Sequence, residues 1–169
     1  MRRVTHGGGP YRYALSWSPD SKKLAFSDKT LRLWWCDVAS GKLTQVDKGD
    51  VAEFGDYQWS GDSRWLTYSK TEPNNFNHLV LYSIDSGRTT AVTDGMTDDF
   101  SPSFDPGGKY LYFLSRRTIE PRFGQFELDF HFTTTDRIYA LTLRDTLESP
   151  VKPKSDEESG DAAEAGDDG

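Results

Sequence analysis

Apolar and polar residues alternate along this chain in runs of about four to eight, and Gly, Pro, Asp or Ser interrupts the runs every 8–12 residues or so. Alternation of period two marks a strand with one buried face, and no stretch sustains the i, i+3, i+4 spacing of a helix. The pattern predicts strands over about 14–18, 23–28, 31–38 and 43–47. Pro19-Asp20-Ser21-Lys22 reverses the chain after the first of these, Pro fixing φ and Asp bonding the local backbone. Ser40-Gly41 makes the last reversal, where Gly accepts a positive φ.

The same four-strand pattern recurs twice. Leu15-Ser16-Trp17-Ser18-Pro19-Asp20-Ser21-Lys22-Lys23-Leu24-Ala25-Phe26-Ser27 aligns with the line from Tyr57 to Ser69 and again with the line from Pro102 to Leu114. The anchors Trp17, Trp59 and Phe104 end the first strand of each unit 42 and 45 residues apart and are expected to wedge between blades as core, with Asp20 and Asp62 at matching turn positions. A second series, Val4-Thr5-His6-Gly7, Val46-Asp47-Lys48-Gly49 and Val92-Thr93-Asp94-Gly95, repeats at 42 and 46. A repeated four-stranded meander of this length is the unit of a β-propeller, whereas a β-sandwich predicts no internal repeat. The expected fold is all-β: a partial β-propeller of about three four-stranded antiparallel blades over residues 1–147, with repeats at about 2–47, 48–93 and 94–147. Residues 2–5 read as the outermost strand of a further blade, and the third unit, with strands near 101–105, 109–115 and 136–143, lacks a recognisable fourth strand.

Composition separates the end of the chain from the rest. Residues 150–169 hold seven acidic and two basic residues, so they carry −5 of the formal −7, and all 5 Trp, 8 Tyr and 10 Phe lie before them. With nothing to bury, residues 148–169 are expected to form a disordered acidic tail or linker. The remaining −2 is not gathered into the basic stripe that phosphate binding requires, which argues against nucleic acid. No apolar run approaches the ~18 residues of a membrane span, so no membrane partner is expected. Residues 1–20 contain no apolar signal core, and the compartment stays open, with the cytoplasm favoured over the periplasm. Cys36 is the one cysteine, which excludes an internal disulfide and a cysteine-cluster zinc site.

The Trp-Ser-Pro-Asp line followed by Lys22-Lys23-Leu24-Ala25-Phe26-Ser27 resembles the TolB and prolyl-oligopeptidase type of propeller repeat. Leu24-Ala25-Phe26-Ser27-Asp28-Lys29, Leu66-Thr67-Tyr68-Ser69-Lys70, Thr93-Asp94-Gly95-Met96-Thr97-Asp98-Asp99-Phe100-Ser101-Pro102 and Lys109-Tyr110-Leu111-Tyr112-Phe113-Leu114-Ser115 resemble the second, seven-bladed propeller of tricorn-like serine peptidases. The resemblance covers residues 1–145 and implies a propeller that admits peptides towards an active site. It also implies partners on a larger peptidase: further blades, a PDZ module and a catalytic part whose serine, histidine and glutamate have no counterpart here. No catalytic residue is carried over, and the chain alone is expected to be no enzyme. A TolB-like scaffold for protein interaction is the alternative.

Candidate chemistry gathers on one face. The turns joining first to second and third to fourth strands are tight, whereas the second-to-third loops grow from Asp28-Lys29-Thr30, to about Lys70–His78, to about Arg116–Thr135. The connections on that face are acidic, with Asp47, Asp50, Glu53 and Asp56 in one and Asp94, Asp98 and Asp99 in the next. Such carboxylates suit a peptide's amino terminus or its basic side chains, and are equally the residues of solvated turns. In the longest loop, Phe126-Glu127-Leu128-Asp129-Phe130-His131-Phe132 places Glu127, Asp129 and His131 on one side at period two. That set suits a divalent metal or proton exchange in a metal-dependent hydrolase, or the solvated side of a hairpin. No second ligand cluster completes a site, so neither metal nor cofactor is expected. His6 and His78 sit in no Ser/His/Asp arrangement, the serines lack a G-x-S-x-G elbow, and a strand-borne Cys36 is a poor nucleophile. The extra strand at residues 2–5 and the incomplete third unit are complementary in type and leave open edges, so self-association or aggregation is a further expectation, an ordered two-copy ring being one form of it.

Overall fold

A computed structural model of the chain describes residues 9–118, 121–124, 129–132 and 135–151, and these contain strands and no helix. The first sheet has the order β1 (Ser16–Trp17), β2 (Lys23–Asp28), β3 (Arg32–Asp37), β4 (Leu43–Lys48), and the second β5 (Gln58–Trp59), β6 (Trp65–Thr71), β7 (Asn77–Ser83), β8 (Thr89–Ala91). A third sheet pairs β9 (Asp99–Phe104), β10 (Tyr110–Ser115) and β13 (Arg137–Thr142) in the order β13-β10-β9. All pairings are antiparallel, as in a meander, and the sheets stack in chain order, β5 against β1 and β9 against β5, β6 and β7. This is the partial propeller that the repeat predicts.

The repeat is held by one recurring turn. Ser18 Oγ donates to Asp20 Oδ1 at 2.6 Å and accepts the Lys23 amide at 2.9 Å; Ser60 does the same with Asp62 at 2.5 Å and the Trp65 amide at 2.9 Å. Asp105 replaces both residues in the third blade, one carboxylate oxygen accepting the amides of Lys109 and Tyr110 at 2.6 Å each. The turn demands a left-handed residue, supplied by Ser21 at φ 57°, Ser63 at 60° and Gly108 at 64°.

The core lies in the seams between sheets rather than within one. Ala25 and Leu33 of the first blade meet Trp59, Leu66, Tyr68 and Val80 of the second. Trp59 is 5% exposed and its Nε1 donates to the Ser16 carbonyl at 3.1 Å, crossing the seam. Phe104, its counterpart, is half-buried against the second blade, where its amide donates to Gln58 Oε1 at 2.9 Å.

Three expectations are corrected. Trp17 occupies the same repeat position as Trp59 but is 55% exposed, because among the described residues no blade packs on its outer side. The predicted strand 14–18 shrinks to Ser16–Trp17, preceded by an isolated bridge from Arg12 to Asp28, and Leu15 between them is turned outward. The loop expected over Lys70–His78 is shorter: Lys70 pairs with His78 and Thr71 with Asn77, leaving a turn of residues 72–76 with Asn75 at φ 64°. The long loop before β13 contains a hairpin of β11 (Pro121–Gly124) and β12 (Asp129–Phe132). The strand expected at residues 2–5, His6, Glu127 and the acidic residues from 152 onward lie outside the described residues.

Candidate functional site

The connections β4–β5 and β8–β9, the β6–β7 turn and the β11–β12 hairpin leave the strands on one face. Asn74 Nδ2 donates to the Gly95 carbonyl at 3.1 Å, and Asn77 Nδ2 to Asp98 Oδ1 at 2.7 Å, tying the turn to the acidic connection. Gly95 allows this approach with φ at 72°, its missing Cβ facing Glu72 and His78.

Several acidic residues on this face fasten one blade to the next or a loop to its own blade. Asp47 accepts Tyr68 Oη at 2.9 Å and Lys70 Nζ at 3.1 Å across the first seam. Burial, then the Asp47 charge, drives the Tyr68 phenol far above its ordinary range. Glu53 accepts Tyr13 Oη at 2.6 Å, a bond that pushes this phenol up to about 12. Asp56 spans the second seam, binding the Ser69 hydroxyl through one oxygen and the Ser101 amide at 2.7 Å through the other. Asp99 is fully buried, accepting Arg117 Nη2 at 2.9 and 3.0 Å and Thr97 Oγ1 at 3.2 Å. Asp98 meets Arg116 at 2.7 Å, and Arg116 also holds Asp136 at 2.8 Å. The adjacent arginines thus clamp the root of the β11–β12 excursion, Arg117 lying 4.6 Å over the Tyr139 ring and Arg116 4.6 Å over Phe100.

Asp50 is exposed, and exposed apolar side chains accompany it on this face: Val51, Phe76, Met96 and Phe123. Sequence reading missed these, since a lone apolar residue in a turn carries no period. In the hairpin, Asp129 is opposite Gly124 and His131 opposite Arg122 in the register. Among the described residues no group of three His, Cys, Asp or Glu side chains is placed to hold a metal ion. His78 Nδ1 faces Glu72 Oε1 at 3.0 Å. Cys36 is buried, and burial pushes its thiol up, away from nucleophilic character.

Sequence and structural comparisons agree with this architecture. A profile for the tricorn protease second beta propeller domain matches residues 1–168. A tricorn protease homolog of Saccharolobus solfataricus is 31% identical over 126 residues, covering 75% of this chain and 12% of the relative. Tricorn protease homolog 1 of Streptomyces coelicolor is 29% identical over 140 residues, covering 83% and 13%. The chain therefore spans a small fraction of these relatives' length. A crystal structure of the tricorn protease superposes with a TM-score of 0.77 at 22% identity, over 82% of this chain and 14% of that one. A TolB from Agrobacterium tumefaciens superposes with a TM-score of 0.52 at 15% identity, over 83% and 61%, which is a likeness of fold. With its blade repeat, its seam contacts and the profile match in agreement, the chain belongs to the tricorn protease second β-propeller family.

Proposed function

We propose that this chain is a non-catalytic propeller segment of a tricorn-like serine peptidase, and that its loop face guides or gates peptide substrates towards a catalytic part outside the chain. The observation that carries the reading is the profile match over residues 1–168 to a propeller domain of proteins named as proteases. The loop face supports it chemically. Exposed Val51, Phe76, Met96 and Phe123 offer apolar contact to an unfolded chain of any sequence, and Asp50 adds a charge for its basic groups. Asp56, Asp98 and Asp99 serve by fixing the connections and the hairpin root, while Asp129 and His131 lie in β12 of the hairpin, and Glu127 is proposed to act with them. The partners are the remaining blades, the PDZ module and the catalytic part of the larger peptidase. Photo-cross-linking of an unstructured peptide to the purified chain, read by mass spectrometry, tests the guiding role. Adducts are expected in residues 47–56, 72–76, 94–99 and 116–135; adducts confined to the opposite face contradict it.

A further inference from the structure

On the opposite face, between the second and third blades, the chain encloses a cleft of about 700 Å³, within the ~300–1,000 Å³ of small-ligand sites. The repeat explains why it is there. In the first seam the corresponding space is occupied: Trp35, paired with Ala25, packs into the core, and Ser63 Oγ accepts the Asp20 amide at 3.0 Å to close the mouth. In the second seam Leu81, paired with Thr67, stands where Trp35 would be, Phe104 replaces Trp59, and Gly108 replaces Ser63. Two indoles and the closing hydroxyl are gone. The space they leave has an apolar wall of Leu81, Phe104, Leu143 and the 40%-exposed Trp65, and a polar one that includes Ser60 and Asp62.

The charges at the rim follow the same comparison. In the second blade Arg64 is neutralised by Asp85, Nε to Oδ2 at 2.7 Å, and Ile84 bonds the Arg64 carbonyl. Leu143 bonds the Lys109 carbonyl in the same way, so the third blade has Lys109 in place of Arg64 and Arg144 in place of Asp85. Arg144 lines the cleft and has no ion-pair partner among the described residues, whereas Asp62 is committed to Ser60 Oγ at 2.5 Å and the Arg64 amide at 3.0 Å. A cleft with an apolar wall and, at its rim, a guanidinium outside any ion pair suits an apolar group that carries a carboxylate, held on the Arg144 side and away from the Asp62 carboxylate.

We propose that this cleft between the second and third blades is a binding site for an apolar carboxylate, either the carboxy-terminal residue of a peptide or a free aromatic acid. It does not rest on the guiding role above, which concerns the other face and a cross-linked unstructured peptide. N-acetyl-Leu-Phe, its carboxy-terminal amide and 3-phenylpropionate are titrated into the purified chain, following the Trp65 indole NMR signal assigned with Trp65→Phe. The free acid is expected to shift that signal and bind at least roughly tenfold more tightly than the amide, and Arg144→Gln to remove this preference. Equal binding of 3-phenylpropionate identifies a small acid as the natural source, and a preference for the dipeptide identifies a peptide end. Leu81→Trp restores the indole of the first seam and Gly108→Ser its hydroxyl, so either is expected to abolish binding. Gly108 has open space for a Cβ, and Ser63 tolerates the same φ, which keeps the second variant folded. No shift with the free acid, equal affinity for acid and amide, or undiminished binding in folded Gly108→Ser chain overturns the proposal.

Discussion

Trp17 and Trp59 occupy one repeat position in two environments, which separates what a residue contributes from what its neighbours do. Trp59→Ala removes a buried indole from the first seam and is expected to cost about 3–5 kcal/mol in urea unfolding. Trp17→Ala, at a 55%-exposed site, is expected to cost less than about 1 kcal/mol. Equal losses would mean that Trp17 is packed in solution. Acid sensitivity is also decided at single residues. The Lys23 ammonium and Ser18 hydroxyl lower Asp20, the Ser60 hydroxyl lowers Asp62, and the Tyr110 amide lowers Asp105, each below the ordinary carboxylate value. A carboxylate depressed in the folded state contributes stability that is complete above its unfolded pKa of about 4 and is lost as pH falls through the folded value. The thermal midpoint is therefore expected to hold from pH 7 to about 5 and to fall below pH 4, less steeply in a chain with all three changed to Asn. An unchanged acid profile in that variant would show that the turns do not supply the sensitivity.

The blade turn was legible in the sequence because its chemistry is local: Ser18, Asp20 and Ser21 are close along the chain and recur as Ser60, Asp62 and Ser63. Partners 20 to 46 residues away were not legible. Asp56 reads as a surface turn residue until Ser101 is seen across the second seam, and Asp99 reads as one more acid until Arg117 is found on it. The cleft was hidden for a related reason: the consequence of Leu81 and Gly108 emerges only when they are set against Trp35 and Ser63 in stacked sheets. The turn face looked tight because its turns are short, and turn length says nothing about the space between blades. At this scale Asp99→Ala leaves Arg117 without its buried partner and is expected to cost about 3 kcal/mol. Because Arg117 roots the β11–β12 hairpin, hydrogen exchange at residues 116–118 should quicken with it. Normal protection there would detach the ion pair from the hairpin.

At the scale of the molecule, the first and third blades each have an outward sheet face that no other described residues cover. On the third blade Tyr110, Tyr112 and Leu114 share a sheet face with Ile138 and Ala140, of which Ile138 is 75% exposed; on the first, Leu15 and Trp17 are open. Each Å² of such apolar surface removed from water contributes about 25 cal/mol, and the repeat that seats one blade on the next makes these ends suited to one another. The isolated chain is expected to associate at micromolar concentration in sedimentation, and Ile138→Glu combined with Trp17→Glu to weaken it. A wild-type monomer at that concentration would show the end faces to be inert.

In the proposed role, these blades handle peptides without cutting them. Unstructured peptides of about twenty residues, incubated with the purified chain and followed by mass spectrometry, test it most directly. Recovery of the peptides at full length is expected. Cleavage that is lost in His131→Ala, or on adding a chelator, would contradict it and place a hydrolytic site in the β11–β12 hairpin.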